Sequence, residues 1–254
     1  MYPISVRSAL RTLGELATIG AVAMLGGPAS AQRSTPVDLE LVLAVDVSSS
    51  VDSSEFHLQM DGLSDAFRHP AVSAAIRSAG NLGVAVALVQ WSDIRQQELA
   101  VDWTLVRNTV SAEALAEKIS NTPRLIPGGG TAIDGAIQFS TQQLDNNGFQ
   151  GVRKVIDISG DGDGDPGLLS RHMRDRAVAR GVTINGLAIL DNDPMLERYY
   201  RLNVIGGTGA FVMTADDYGD FRHAILKKLI REIVGVPTAA WSPRREKLTA
   251  QRTE

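Results

Sequence analysis

Leu41-Val-Leu-Ala-Val-Asp46-Val-Ser48-Ser-Ser50 is an apolar run of strand length that ends in Asp-x-Ser-x-Ser. One carboxylate and two hydroxyls are therefore expected at the carboxyl end of a buried strand, where open α/β sheets hold their ligands. Oxygen-only ligands suit a hard divalent cation, Mg²⁺ first and Mn²⁺ or Ca²⁺ next. Two further stretches share this placement. Pro127-Gly-Gly-Gly130-Thr131 comes just before a helix expected from Ala132, and Val155-Ile-Asp-Ile-Ser159-Gly-Asp161-Gly162 is a buried strand ending in an acidic loop. In a parallel sheet all three loops can converge on one edge, which would bring Asp46, Ser48, Ser50, Thr131 and Asp161 together.

Other chemistries are poorly served. The glycine run has the look of a phosphate cradle at a helix N-terminus, but it lacks the Gly-Lys-Ser/Thr ending of a P-loop. Asp161-Gly-Asp163-Gly-Asp165-Pro166 invites a calcium reading, yet an EF-hand needs Gly and Glu where this chain has Pro166 and His172. The extra carboxylates read as a solvated turn that caps the next helix. Thr131 also suits a helix N-cap, and that role is compatible with a metal role. His57, His69, His172 and His223 show no zinc spacing. Trp91 and Trp103 read as packing residues, and Gly206-Gly-Thr-Gly209 reads as a turn. There is no Gly-x-Ser-x-Gly nucleophile elbow.

The elements that must position these residues alternate along the chain. Strands are expected over Leu39–Val47, Leu82–Gln90, Arg153–Ser159, Val182–Leu190 and Ala210–Thr214, with a short edge strand over Gln97–Leu105. A helix follows Asp52, which with Glu55 forms a capping-box pattern, and carries Phe56, Met60, Leu63 and Phe67 at helical spacing before Pro70. Further helices are expected over Ser111–Ile119, Ala132–Leu144, Pro166–Arg180 and Pro194–Leu202. Asp217–Val234 is strongly amphipathic, with Phe221, Ile225, Leu229 and Ile233 four apart. The fold class implied is α/β: a doubly wound, mostly parallel sheet flanked by helices, with one antiparallel edge strand.

Composition sets the setting. The 254 residues are 44% hydrophobic and 21% charged, ordinary for a globular chain. Arg7 and Arg11, the apolar Leu13–Leu25 and the small residues of Pro28-Ala-Ser-Ala31 read as a secretory signal peptide, residues 1–31, cleaved before Gln32. Its removal would make the chain one unit more acidic than its net charge of −4. General affinity for nucleic acid or anionic membranes is not expected from that balance. With no cysteine, disulfides and thiol catalysis are excluded and stability must come from the core. One domain is expected over residues 37–235. Residues 236–254, with Arg244, Arg245, Lys247 and Arg252 but no apolar period, read as a flexible tail.

Asp-x-Ser-x-Ser after strand one, Gly-Gly-Thr before a mid-chain helix and Asp-Gly after a later strand resemble the von Willebrand factor A domain. The likeness runs from about Val37 to Gly235, and extends to bacterial secreted proteins in which this domain is nearly the whole chain. The resemblance implies a metal-ion-dependent adhesion site. Ser48 and Ser50 would be direct ligands, Thr131 direct or through water, and Asp46 and Asp161 would act largely through waters. Neutral hydroxyls leave Mg²⁺ electrophilic, so a carboxylate donated by a protein partner would complete its shell. The function expected is a non-enzymatic, metal-dependent binding module, periplasmic or secreted, with no stable membrane insertion after signal cleavage. Two alternatives are a metal-dependent hydrolase, since Asp161-Gly-Asp163 superficially resembles the nucleophile loop of haloacid-dehalogenase phosphatases, and a scaffold with a vestigial metal site. The phosphatase loop wants Thr or Val where this chain has Asp165.

Overall fold

The computed structural model describes residues 34–145, 147–164, 167–191 and 193–235. The expected signal segment, the Asp165-Pro166 pair and the expected tail lie outside the described residues. Contacts divide the chain into Met1–Gln32 and Arg33–Glu254, and the fold is that of the second unit.

Among the described residues six strands form one sheet: β1 (Thr35–Asp46), β2 (Val84–Trp91), β3 (Gln97–Val106), β4 (Phe149–Gly160), β5 (Val182–Ile189) and β6 (Val212–Ala215). Their spatial order is β3-β2-β1-β4-β5-β6, with β3 antiparallel to β2 and every other pair parallel. The mostly parallel α/β sheet expected from the alternating sequence is thus the sheet observed. Among the described residues seven α-helices flank it: α1 (Ser53–Arg68), α2 (Pro70–Ala79), α3 (Thr109–Ser120), α4 (Ile133–Gln143), α5 (Leu168–Ala179), α6 (Leu196–Tyr199) and α7 (Tyr218–Val234). A π-helical turn, Tyr200–Val204, continues α6.

Strand alternation divides the core in two. Leu39, Leu41, Leu43 and Val45 point to one face, under residues of α1, α2, α3 and α7 such as Phe67, Ile76, Leu115 and Phe221. Val42 and Ala44 point to the other, against Ile133, Ile137 and Tyr200 from α4 and the α6 region. Both faces of β1 and β2 are therefore covered, which is why those strands read as continuous apolar runs.

Several boundaries differ from expectation for physical reasons. β1 and β4 each start about four residues early, because Thr35-Pro36-Val37 pair with Phe149-Gln150-Gly151 before the apolar runs begin. The antiparallel edge strand lies where expected and runs one residue further, Gln97–Val106, because Val106 still pairs with Val84. Pro70 does not end the helical region. It opens α2 at the first helical position, where its missing N–H costs nothing, and His69 Nδ1 accepts the Ala71 N–H at 3.2 Å. The capping box is as read: Asp52 Oδ1 accepts the Glu55 N–H at 2.9 Å, and Glu55 Oε2 accepts that of Asp52 at 2.7 Å. No helix among the described residues is long and apolar enough to cross a membrane.

Candidate metal centre

The strand order reverses between β1 and β4. The chain leaves β1 for α1 on one face of the sheet and leaves β4 for α5 on the other. A crevice opens outside the carboxyl ends of two such strands, the usual ligand position in this class of sheet. Asp46 ends β1, Gly160 ends β4, and Asp161 follows it.

The structure brings the five sequence-derived residues to this crevice. Asp46 is fully buried, and its Oδ1 accepts the Ser48 N–H at 2.7 Å, which folds the Asp-x-Ser turn back on the strand end. The Ser48 and Ser50 hydroxyls lie 3.0 Å apart, and Ser50 donates to Asp161 Oδ1 at 2.8 Å. Thr131 packs on the Asp161 loop. A Cβ at Gly162 would stand 3.4 Å from Thr131 Oγ1, and one at Gly164 would collide with the Thr131 carbonyl. Gly164 has φ +64°, so both space and conformation call for glycine there. Gly160 is needed for closeness alone, because a Cβ there would lie 2.7 Å from Asp46 Oδ2 and 3.1 Å from the Tyr200 hydroxyl. Thr131 is not the N-cap of α4. Ala132 occupies that position and makes no side-chain cap bond.

Burial governs the electrostatics. It pushes the Asp46 carboxyl up from 3.8 to about 7, against the opposing hydrogen bonds from Ser48, and the Asp161 charge adds to the rise. Tyr200 and Tyr218 are raised for the same first reason, with Asp46 and Asp161 contributing to both. Glu55 is raised by burial, and the charges of Asp52, Asp161 and Asp191 contribute. The edge is thus rich in negative potential around a carboxylate with one unanswered oxygen. Asp46 Oδ2 is buried and without a hydrogen-bond partner.

Two loops lock the arrangement in ways the sequence did not announce. Ser49 N–H donates to the Gly129 carbonyl at 3.0 Å, and Gly129 N–H donates to Ser49 Oγ at 2.9 Å. Arg124 reaches the same turn, with Nη2 donating to the Val47 and Ser48 carbonyls and Nη1 to that of Val51. No spacing rule links Arg124 to residues more than seventy positions away, since main-chain acceptors have no sequence signature.

The donor set is two carboxylates and three hydroxyls, all oxygen. Among the described residues no group of three or more His, Cys, Asp or Glu gathers, so this set depends on its hydroxyls. A hard divalent cation fits it, and would answer the buried Asp46 Oδ2 directly or through a bound water.

The family described as "Protein of unknown function (DUF1194)" matches residues 36–237. The chain belongs to the DUF1194 family. No curated protein matches it. Among solved structures this DUF1194 chain is similar to proximal thread matrix protein 1 of the mussel byssus. The TM-score is 0.60 at 16% identity, over 79% of this chain and 49% of that one. Another structure of the mussel protein has a zinc-occupied MIDAS motif. The pilus adhesin SpaC of Lactobacillus rhamnosus GG matches at TM-score 0.55 and 16% identity, over 80% of this chain and 31% of that one. The vWF domain of the pili tip protein Mfa5 of Porphyromonas gingivalis matches at 0.50 and 13% identity, over 77% and 95%. The DUF1194 chain thus spans about half of the mussel protein and about a third of SpaC. At these identities the likeness establishes a von Willebrand factor A-like fold.

Proposed function

We propose that this protein is a metal-dependent protein-binding module that works outside the cytoplasm. Asp46, Ser48, Ser50, Thr131 and Asp161 would hold Mg²⁺, with Mn²⁺ or Ca²⁺ as substitutes, and a partner's Asp or Glu would complete the shell. The observation that carries this reading is the convergence of these five oxygen-bearing side chains at the β1/β4 reversal, around a buried carboxylate oxygen with no partner. Hydroxyl ligands neutralise none of the cation's charge, so an outside carboxylate gains strongly on joining it. Neighbours of similar fold include a byssal matrix protein and a pilus adhesin, which is in keeping with binding rather than turnover. In the same proposal, residues 1–31 direct export and are removed, residues 37–235 are the binding domain, and residues 236–254 are a tail.

The test is calorimetric titration of the purified protein with Mg²⁺, Mn²⁺ and Ca²⁺, alongside Asp46→Ala and Ser48→Ala. One saturable site is expected in the wild type and none in the variants. Equal cation binding by correctly folded Asp46→Ala would remove the basis of the proposal.

A further inference from the structure

We infer that Arg124 is a positioning residue that holds the Asp46–Ser50 turn in its cation-ready shape and withholds that turn's carbonyls from the ion. This rests on the proposed metal site and concerns how that site chooses its cation. All three guanidinium nitrogens of Arg124 donate to main-chain oxygens. Nη2 donates to the Val47 carbonyl at 2.7 Å and to Ser48 at 2.9 Å, Nη1 to Val51 at 2.8 Å, and Nε to Ile126 at 3.1 Å. The side chain is aimed by its own neighbours. Gln90, fully buried at the end of β2, donates to the Pro123 carbonyl at 2.8 Å and accepts the Leu125 N–H at 2.7 Å, gripping the backbone on both sides of Arg124. A planar fork with five fixed donors can serve several carbonyls at once, and a lysine ammonium cannot reproduce that geometry.

The chemistry follows from which oxygens are left. Val47, Ser48 and Val51 bracket both ligand serines, and their carbonyls are hard donors of the kind Ca²⁺ recruits when it gathers six to eight ligands. Turned toward Arg124, they are committed elsewhere, and the turn offers only side-chain oxygens. Such a sparse set suits Mg²⁺, which takes six ligands at short range and keeps several waters. Ser49 and Gly129 hold the same turn through their own two hydrogen bonds, so releasing Arg124 leaves that pairing in place.

The test measures Mg²⁺ and Ca²⁺ affinity by calorimetry for the full chain, Arg124→Ala and Arg124→Lys, with urea midpoints taken in chelator. Arg124→Ala should weaken Mg²⁺ about 10- to 100-fold, the usual range for outer partners of metal ligands. Ca²⁺ should weaken less, so the Mg²⁺/Ca²⁺ preference falls. Arg124→Lys should lie between, and serves as the folded variant where Arg124→Ala does not fold. Equal losses for both cations would reduce Arg124 to a structural prop and overturn the inference, as would an unchanged Mg²⁺ affinity in a folded variant. A wild type that binds neither cation would remove the metal site itself and this inference with it.

Discussion

Asp46→Asn should make the cation-free protein more stable while abolishing its response to cation. Asp46 is fully buried, its Oδ1 is held by the Ser48 N–H, and its Oδ2 meets no partner. Burial raises its folded-state pKa from 3.8 to about 7. The folded state therefore binds this proton more tightly than the unfolded state does. Below about pH 4 both states are protonated and the group is neutral to stability. As pH climbs from there to 7, the unfolded chain releases its proton first and the folded state loses ground. Above 7 the full penalty stands. At about 1.36 kcal/mol per pH unit, the gap between 3.8 and about 7 comes to ~4 kcal/mol, an upper bound because relaxation will reduce it. Asparagine keeps the Oδ1 acceptor for Ser48 and carries no charge. Urea denaturation in chelator at pH 8 should then show Asp46→Asn more stable than wild type by about 2–4 kcal/mol, with the difference vanishing by about pH 4. Saturating Mg²⁺ at about a hundredfold its dissociation constant should return roughly 2.7 kcal/mol to the wild type and nothing to the variant. A variant less stable than wild type in chelator at pH 8 would refute the burial argument. A variant that keeps the Mg²⁺ shift would refute the assignment of Asp46 to the site.

Lys228 sits fully buried between Asp157 and Glu232, bonded to Glu232 Oε1 at 2.7 Å, and Asn185 donates to that same oxygen at 2.9 Å. Lys228→Met should cost about 3 kcal/mol in urea, the low end for a broken buried pair, because burial and the Asp157 charge push the Glu232 carboxyl up and favour its taking a proton once the lysine is gone. Adding Glu232→Gln should recover part of the loss, and full additivity of the two changes would count against a shared network. Gly160→Ala would press a methyl against Asp46 Oδ2, and should lower cation affinity at least tenfold by calorimetry while leaving far-UV dichroism unchanged.

The motifs at the carboxyl edge of the sheet were legible because each is a sharp change of chemistry at the end of an apolar strand. Asp46 and Asp161 follow runs covered on both faces, and that covering is what makes the runs continuous. What escaped notice was whatever the main chain decides. Arg124 and Gln90 act on carbonyls and amides, which every residue possesses. The helix after Pro70 was hidden because proline reads as a stop while also suiting a first turn. Lys228 and Glu232 have the spacing of a solvent-facing pair, yet they border the apolar stripe of α7, and Asp157 on β4 draws them inward. Sequence periodicity locates a stripe but cannot say how wide the contact behind it is.

The path of the chain through the sheet has a mechanical consequence. β1 runs from Thr35 toward the edge that carries Asp46, and α7 runs back from that edge to Val234. Arg153, early in β4, donates to the Glu232 and Ile233 carbonyls, which ties the end of α7 to the far side of the sheet. Both ends of the described domain thus emerge on the side away from Asp46. Anchored at either end, the domain would present the proposed cation site outward like the tip of a probe. A pull on anything held at that site would enter at β1 and β4 and load their ladders to β2 and β5 lengthwise, along the strands, rather than peeling them apart one bond at a time.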